Sequence, residues 1–224
     1  LEICDMNLTI IDYGSGNLRS VENAFKNSFK KNKLKFNIQV TNKLDLISKA
    51  DHLVLPGVGS FPDCKKGLED IEGLIELLKS EVINKRKKFL GICVGMQLMV
   101  DFSLEKQRTV GFCWLDGYFK KIKTKGLDYL GRKYKIPHMG WNNLQIEYNN
   151  HPVLDNISES EQFYFVHSYA LECKQTDQII ANTNYSQKIP AIIGKENYIG
   201  VQFHPEKSGN SGQKFIYNWL KWRL

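Results

Sequence analysis

KKFLGICVGMQLMVDF, residues 87–102, is the stretch on which the fold turns. A basic lead-in gives way to an apolar run, and glycines at 91 and 95 then bracket Cys93. Residues 87–92 read as a buried strand, and residues 94–102 have the spacing of a helix. A strand that turns sharply into a helix through Gly-x-Cys-x-Gly has the form of a nucleophile turn, in which small neighbours allow a reactive side chain to stand at the strand's carboxyl end. The amino end of the expected helix would direct its N–H groups at the sulfur and favour thiolate. The same letters also fit a small buried cysteine with glycines packed round it, and the string by itself leaves both readings open.

Outward from that turn the first half alternates. Residues 8–13, 36–40 and 51–56 read as strands. Residues 16–30 read as a helix with Leu18, Val21, Ala24, Phe25 and Phe29 on one face, followed by a short helix at 43–49 and another at 70–82 carrying Ile71, Leu74, Ile75, Leu78 and Val82. Strands alternating with helices predict a parallel sheet covered on both faces. The second half changes character: residues 112–123, 134–146, 162–171, 178–183 and 198–203 look antiparallel, and 211–222 form a last helix with Phe215, Ile216, Trp219 and Leu220 inward. The expected fold is α/β, a single domain with a mixed, mostly parallel central sheet, helices on both faces and an antiparallel extension. Met6 fits a start residue, so the domain is expected over 6–224, with residues 1–5 left unassigned as a leader or an addition.

Composition narrows the class. Of 224 residues, 42% are hydrophobic and 25% charged, the proportions of an ordinary globular protein. No apolar stretch approaches the roughly 20 residues that cross a bilayer, and the amino-terminal residues lack the pattern of a signal peptide. Five cysteines without a CxxC pair argue against a disulfide framework and against zinc, and fit a reducing cytoplasm. Neither a metal nor a cofactor is expected. The net charge of +7 raises nucleic acid as a partner, but the basic residues are dispersed except at 26–36, which reads as a solvated helix end; neither nucleic acid nor a membrane is expected.

Two further strings add chemistry to Cys93. In QFHPEKS, residues 202–208, His204 ends a strand and Glu206 lies two positions on, so that on an extended segment both share one face. Glu206 would then hold the imidazole of His204, completing a Cys-His-Glu triad at the strand ends where open α/β sheets place their sites. In LVLPGVGSF, residues 53–61, a strand ends in Gly57-Val58-Gly59. An oxyanion needs fixed backbone donors; Val58 and Val94 would supply them, with Gly57 and Gly59 allowing the turn to reorient.

PGVGSF, GICVGMQ and FHPEKS, in this order and spacing, resemble the class I, triad-type glutamine amidotransferases, whose fold is flavodoxin-like. IDYGSGN, KIPHMGWN and FYFVHSYA are similar to one branch of that family, the glutaminase subunits of imidazole glycerol phosphate synthases. The likeness runs from about Leu8 to the carboxyl-terminal helix. It implies hydrolysis of L-glutamine by Cys93, His204 and Glu206, through a γ-glutamyl thioester. It implies glutamine binding by Gln97, Gly59 and backbone groups of His167, Ser168 and Tyr169, with the His167 ring a satisfied core group. It further implies a heterodimer in which the partner is a separate (β/α)8-barrel cyclase subunit. That subunit would receive the ammonia and use it in histidine biosynthesis, to form imidazole glycerol phosphate and AICAR. Activation is expected to reorient the Gly57–Gly59 turn. Asn17, Trp141 and Lys207 are expected at the partner interface, although PHMGWN also reads as a plain hairpin. Val94 stands where the family more often has Leu, and the basic segment 120–135 is longer than expected. Other readings stay open: a paralogue supplying ammonia for a surface or flagellar sugar, a stand-alone cysteine peptidase or γ-glutamyl hydrolase, and a binding module without catalysis.

Overall fold

A computed structural model describes residues 6–128, 130–147 and 151–223. The segment 1–5, set aside above, lies outside the described residues, as does Tyr129 within the basic segment.

The chain opens with β1 (Met6–Ile11), α1 (Leu18–Asn32), β2 (Phe36–Thr41), α2 (Leu44–Ile47), β3 (His52–Gly57), α3 (Phe61–Glu69), α4 (Leu74–Lys79), β4 (Lys88–Cys93) and α5 (Val94–Gln97). It continues through β5 (Val100–Ser103), β6 (Thr109–Val110), β7 (Leu115–Lys121), β8 (His138–Asn143), β9 (Gln145–Ile146), β10 (Gln162–His167), β11 (Tyr169–Glu172), β12 (Ile179–Asn184), β13 (Lys188–Lys195) and β14 (Tyr198–Val201), and closes with α6 (Gly209–Lys221).

An eight-stranded sheet has the order β2-β1-β3-β4-β14-β13-β12-β9. Its first five strands are parallel and the remaining three antiparallel. β3, β4 and β14 are buried at every residue, as strands covered on both faces must be. β1 leads to β2 on one side and β3 leads to β4 on the other, so right-handed crossovers put α1 and α3 on opposite faces. α1 turns Val21, Ala24, Phe25 and Phe29 inward. α6 packs beside it through the edge-on contact of Phe25 and Trp219, whose rings lie 5.9 Å apart. Two smaller sheets, β11-β7-β5-β6 and β10-β8, form the extension.

Three expectations need correction. Residues 198–203, read as antiparallel, contain β14, which is parallel to β4 and antiparallel only to β13, because its central place in the sheet joins the two kinds of pairing. The helix expected over 94–102 ends after one turn, and residues 100–103 form β5, pairing with β7 in parallel and β6 antiparallel. Lying between β7 and β6, this stretch pairs its backbone on both sides, where a longer helix would leave β7 paired with β11 alone. The helix expected at 70–82 starts at Leu74 and closes in a wider turn over Ser80–Asn84, while Phe61–Glu69, which carried no expectation, is helical. Ser60 caps it by accepting the Asp63 N–H, and Pro62 sits in its first turn. Residues 188–195, also unassigned above, form β13.

Candidate active site

β4 ends at Cys93, and α5 starts at the next residue. The turn between them is tight enough to hold Cys93 at φ +54° and ψ −111°, outside the regions that side-chain-bearing residues favour. Such strain costs on the order of 1–3 kcal/mol and persists only where the surroundings enforce it. Gly95 is part of that enforcement: a Cβ there would stand 1.9 Å from the Leu55 carbonyl oxygen of β3. The glycine brings helix and sheet into contact.

Sheet register brings the remaining groups to the sulfur. On one side β3 places Gly57 opposite Cys93. On the other, β14 runs parallel to β4 with Val201 opposite Ile92, so the chain leaving β14 passes directly beside Cys93. His204 lies on that exit, extended and buried, its N–H given to the Tyr164 carbonyl at 2.9 Å. Glu206 reaches it by a different route from the one expected. Pro205–Lys207 form a 3₁₀ turn, and this turn, in place of a continued extended segment, folds the carboxylate back. Glu206 Oε1 lies 2.8 Å from His204 Nδ1. With Nδ1 held, Nε2 is the nitrogen left over, and it has no hydrogen-bond partner among the described residues. Burial pushes against charge on this imidazole, but the Cys93 sulfur and the Glu206 carboxylate outweigh it and hold the imidazolium up to about 10.

Cys93 and His204 line one cavity of about 400 Å³. Gly59, Val58, Val94, Gln97, His167, Ser168 and Tyr169 line it too. Glu206 stands behind His204, and Gly57 packs against the start of α5, where a Cβ would meet Gly95 N at 2.8 Å. Lys207, expected at an interface, lines the same cavity, with Nζ 5.8 Å from the ring centre of Tyr164. Tyr164 pairs across β10-β8 with Trp141, half of whose surface is exposed, so these three side chains form one outward patch beside the cavity. Asn17 is exposed just ahead of α1.

The Gly57–Gly59 turn is tied to Ser15. The Val58 N–H is donated to Ser15 Oγ at 3.2 Å, and Ser15 Oγ donates to the Val58 carbonyl at 2.6 Å. The Cys64 thiol reaches the same carbonyl at 3.5 Å. Val58 N–H is thus engaged away from the sulfur. Gly59 stands at φ +108°, backbone that favours glycine, with open space where a Cβ would be.

His167 behaves as the satisfied core group expected. Its Nδ1–H can only donate to the Tyr169 carbonyl, 2.8 Å away, so its Nε2 accepts from His138 Nδ1 at 2.9 Å. His138 Nε2 then accepts from Asn142 Nδ2 at 3.3 Å. Burial holds both rings neutral, His138 down to about 3 and His167 down to about 4. The Ser168 carbonyl already accepts the Ile122 N–H.

Sequence reading missed three residues. Glu105 lines the cavity, and its Oε2 accepts the Phe61 N–H at 2.8 Å; it follows a strand read as helix, and no motif marks it. Ser15 sat inside a quoted string without a role. Gln202 was visible in QFHPEKS, but only register shows it adjoining Cys93. Among the described residues no three His, Cys, Asp or Glu side chains are grouped to hold a metal, and no helix is long and apolar enough to cross a membrane.

A cysteine on a strained strand-to-helix turn, a histidine–carboxylate pair just beyond the neighbouring strand and a glycine turn beside them match the groups that amide-splitting cysteine chemistry requires. The sequence model described as "Glutamine amidotransferase class-I" matches residues 9–222, and the chain belongs to that family. Within it the chain is similar to proteins named "Imidazole glycerol phosphate synthase subunit HisH". The one from Brucella melitensis is 41% identical over 221 residues, 97% of this chain and the whole of that protein; the one from Agrobacterium fabrum is 42% identical over the same length. Among solved structures, a glutamine amidotransferase from Thermotoga maritima has the same fold, with a TM-score of 0.55 at 15% identity over 96% of this chain and 82% of that one.

Proposed function

We propose that this chain is the glutamine-hydrolysing subunit of an imidazole glycerol phosphate synthase, with Cys93, His204 and Glu206 as its catalytic triad. The observation that carries the reading is the Cys93 turn at φ +54° sharing a cavity with the Glu206-held His204, in a chain with full-length relatives of that name. The Cys93 thiolate attacks the side-chain amide carbon of glutamine. The C–N bond breaks as imidazolium His204 gives its proton to the departing nitrogen, and ammonia leaves. Water, deprotonated by His204, then attacks the γ-glutamyl thioester; glutamate departs and the thiolate is restored. Overall one glutamine and one water become one glutamate and one ammonia.

The other residues take supporting parts. Val94 N–H and a reoriented Val58 N–H stabilise the oxyanion, each such donor being worth about 10²–10³ in rate. The Ser15 clamp leaves the resting turn one donor short. Gln97, Gly59 and the main chain of His167, Ser168 and Tyr169 grip the amino acid end of the substrate, and Glu105 matches its ammonium group. A separate (β/α)8-barrel cyclase subunit receives the ammonia. It docks over exposed Trp141, Lys207 and Asn17, and its binding turns Val58 over. We place this activity in the cytoplasm, where free thiols persist. The names of the relatives favour histidine biosynthesis over sugar amidation, and complementation of a histidine auxotroph separates the two. The deciding experiment is Cys93→Ser in complex with the barrel subunit. Glutamine-dependent synthesis is abolished while synthesis from added ammonium persists; loss of both, or of neither, defeats the reading.

A further inference from the structure

Gln202 is wholly buried, and its amide makes two hydrogen bonds, both to groups of the proposed site. Nε2 donates to the Cys93 sulfur at 3.6 Å, and Oε1 accepts from Gln97 Nε2 at 3.1 Å. We propose that Gln202 is a positioning residue for the reaction, an amide relay that supports the Cys93 thiolate and at the same time sets the orientation of Gln97. The proposal rests on Cys93 being the nucleophile.

The placement follows from the sheet. Val201 lies opposite Ile92, which makes Gln202 the next partner of Cys93, and opposite residues on neighbouring parallel strands project to the same face. A buried amide must be paired, and here the pairing has a direction. A thiolate only accepts. While the sulfur is ionised, Gln202 must therefore turn its NH₂ toward it and its carbonyl away. That carbonyl needs a donor, so Gln97 must present its NH₂ to Gln202. The Gln97 carbonyl oxygen is then left for a donor on the substrate, in the cavity that Gln97 lines. The charge on one sulfur thus dictates the orientation of two amides in series.

The need for such support is local. α5 is a single turn, so the helix dipole expected to favour thiolate is small. The Val166 carbonyl oxygen lies 3.9 Å from the sulfur, a partner for the thiol but a repulsive neighbour for the anion. Gln202 offsets that carbonyl with a side-chain N–H, alongside the His204 imidazolium that the same sulfur favours.

The test compares Gln202→Met, a substitution of similar length without the amide, with the unsubstituted full chain. The first measurement is the rate at which iodoacetamide alkylates Cys93 across pH, read by mass spectrometry on the Cys93 peptide, since other cysteines also react. A hydrogen bond to an anion is lost, so the pH of half-maximal alkylation rises by about one to two units, with a ten- to hundredfold slower rate well below it. The second is a double-substitution cycle of Gln97→Met and Gln202→Met on kcat/KM for glutamine in the complex. A relay makes the pair cost clearly less than the product of the singles. Superimposable alkylation profiles together with multiplicative losses overturn the proposal, since a residue that only fills space would give that result. If Gln202→Met does not fold, Gln202→Glu decides. Its neutral acid donates to sulfur at low pH and its carboxylate repels the thiolate at high pH, so activity relative to the unsubstituted enzyme declines as pH rises; a constant ratio overturns the relay. Failure of Cys93 to react at all in the unsubstituted chain would instead defeat the nucleophile assignment itself.

Discussion

Ser15→Ala should raise glutaminase activity in the absence of the partner. One hydroxyl holds both polar groups of Val58, donating to its carbonyl at 2.6 Å and accepting its N–H at 3.2 Å. Both bonds exist only while the Val58 N–H points away from Cys93. Each neutral bond contributes about 0.5–1.5 kcal/mol net, and Val58 is 42% exposed, so water replaces part of what is lost. The low half of that range, taken twice, is about 1–2 kcal/mol, which shifts the two orientations of the turn by roughly 5–30-fold. The Cys64 thiol still reaches the carbonyl in the variant, which keeps the gain from being larger. The assay is glutamate release by the isolated chain, coupled to glutamate dehydrogenase. kcat should rise within that range and KM change little, because the turn supplies a transition-state donor more than a ground-state contact. The melting temperature should fall by no more than several degrees. A folded Ser15→Ala protein whose partner-free kcat is unchanged or lower would refute the idea that the hydroxyl holds the site off.

Three other outcomes are expected. Gly95→Ala puts a Cβ 1.9 Å from the Leu55 carbonyl oxygen, so α5 must move by an ångström or more; thermal melting should show a loss of about 1–3 kcal/mol or more, and glutaminase activity should drop at least 10²-fold. Glu206→Gln removes one of the two groups that hold His204 up to about 10 from an ordinary 6.5. A raised value in the folded state stabilises fully below pH 6.5 and fades as pH climbs through 10, so the melting temperature of the unsubstituted protein should decline across that window and that of the variant less; parallel profiles would count against the pairing. Glu105→Gln should raise KM for glutamine about tenfold with a smaller effect on kcat, measured in the partner complex, whereas a pure kcat effect would place Glu105 elsewhere in the reaction.

Much of the molecule was legible before its tertiary structure. Apolar spacing marked α1 and α6 because a helix must bury one stripe, and continuous apolar runs marked β3 and β4 because a central parallel strand is covered on both faces. Cys93 stood out because a strained turn tolerates few neighbours larger than glycine. The errors have equally physical causes. Met99–Ser103 has no period that separates a short strand from a continuing helix, and only the presence of β7 beside it selects strand. α3 was overlooked because its nine residues carry few apolar positions and its start depends on the Ser60 cap. Glu206 was paired with His204 for a reason that did not hold, since a 3₁₀ turn and not an extended segment brings them together.

By itself the sequence determined where nucleophilic and ionisable groups stand beside conformationally special residues, because those properties belong to a side chain and its immediate neighbours. Tertiary structure alone decided that Gln202 lies against Cys93, that Glu105 enters the cavity from beyond β5, and that Ser15 turns the Val58 N–H away. Those contacts join residues 43 to 109 positions apart. They are set by which strands become neighbours and in what register, a choice made by the burial of the whole sheet and not by any short stretch of chain.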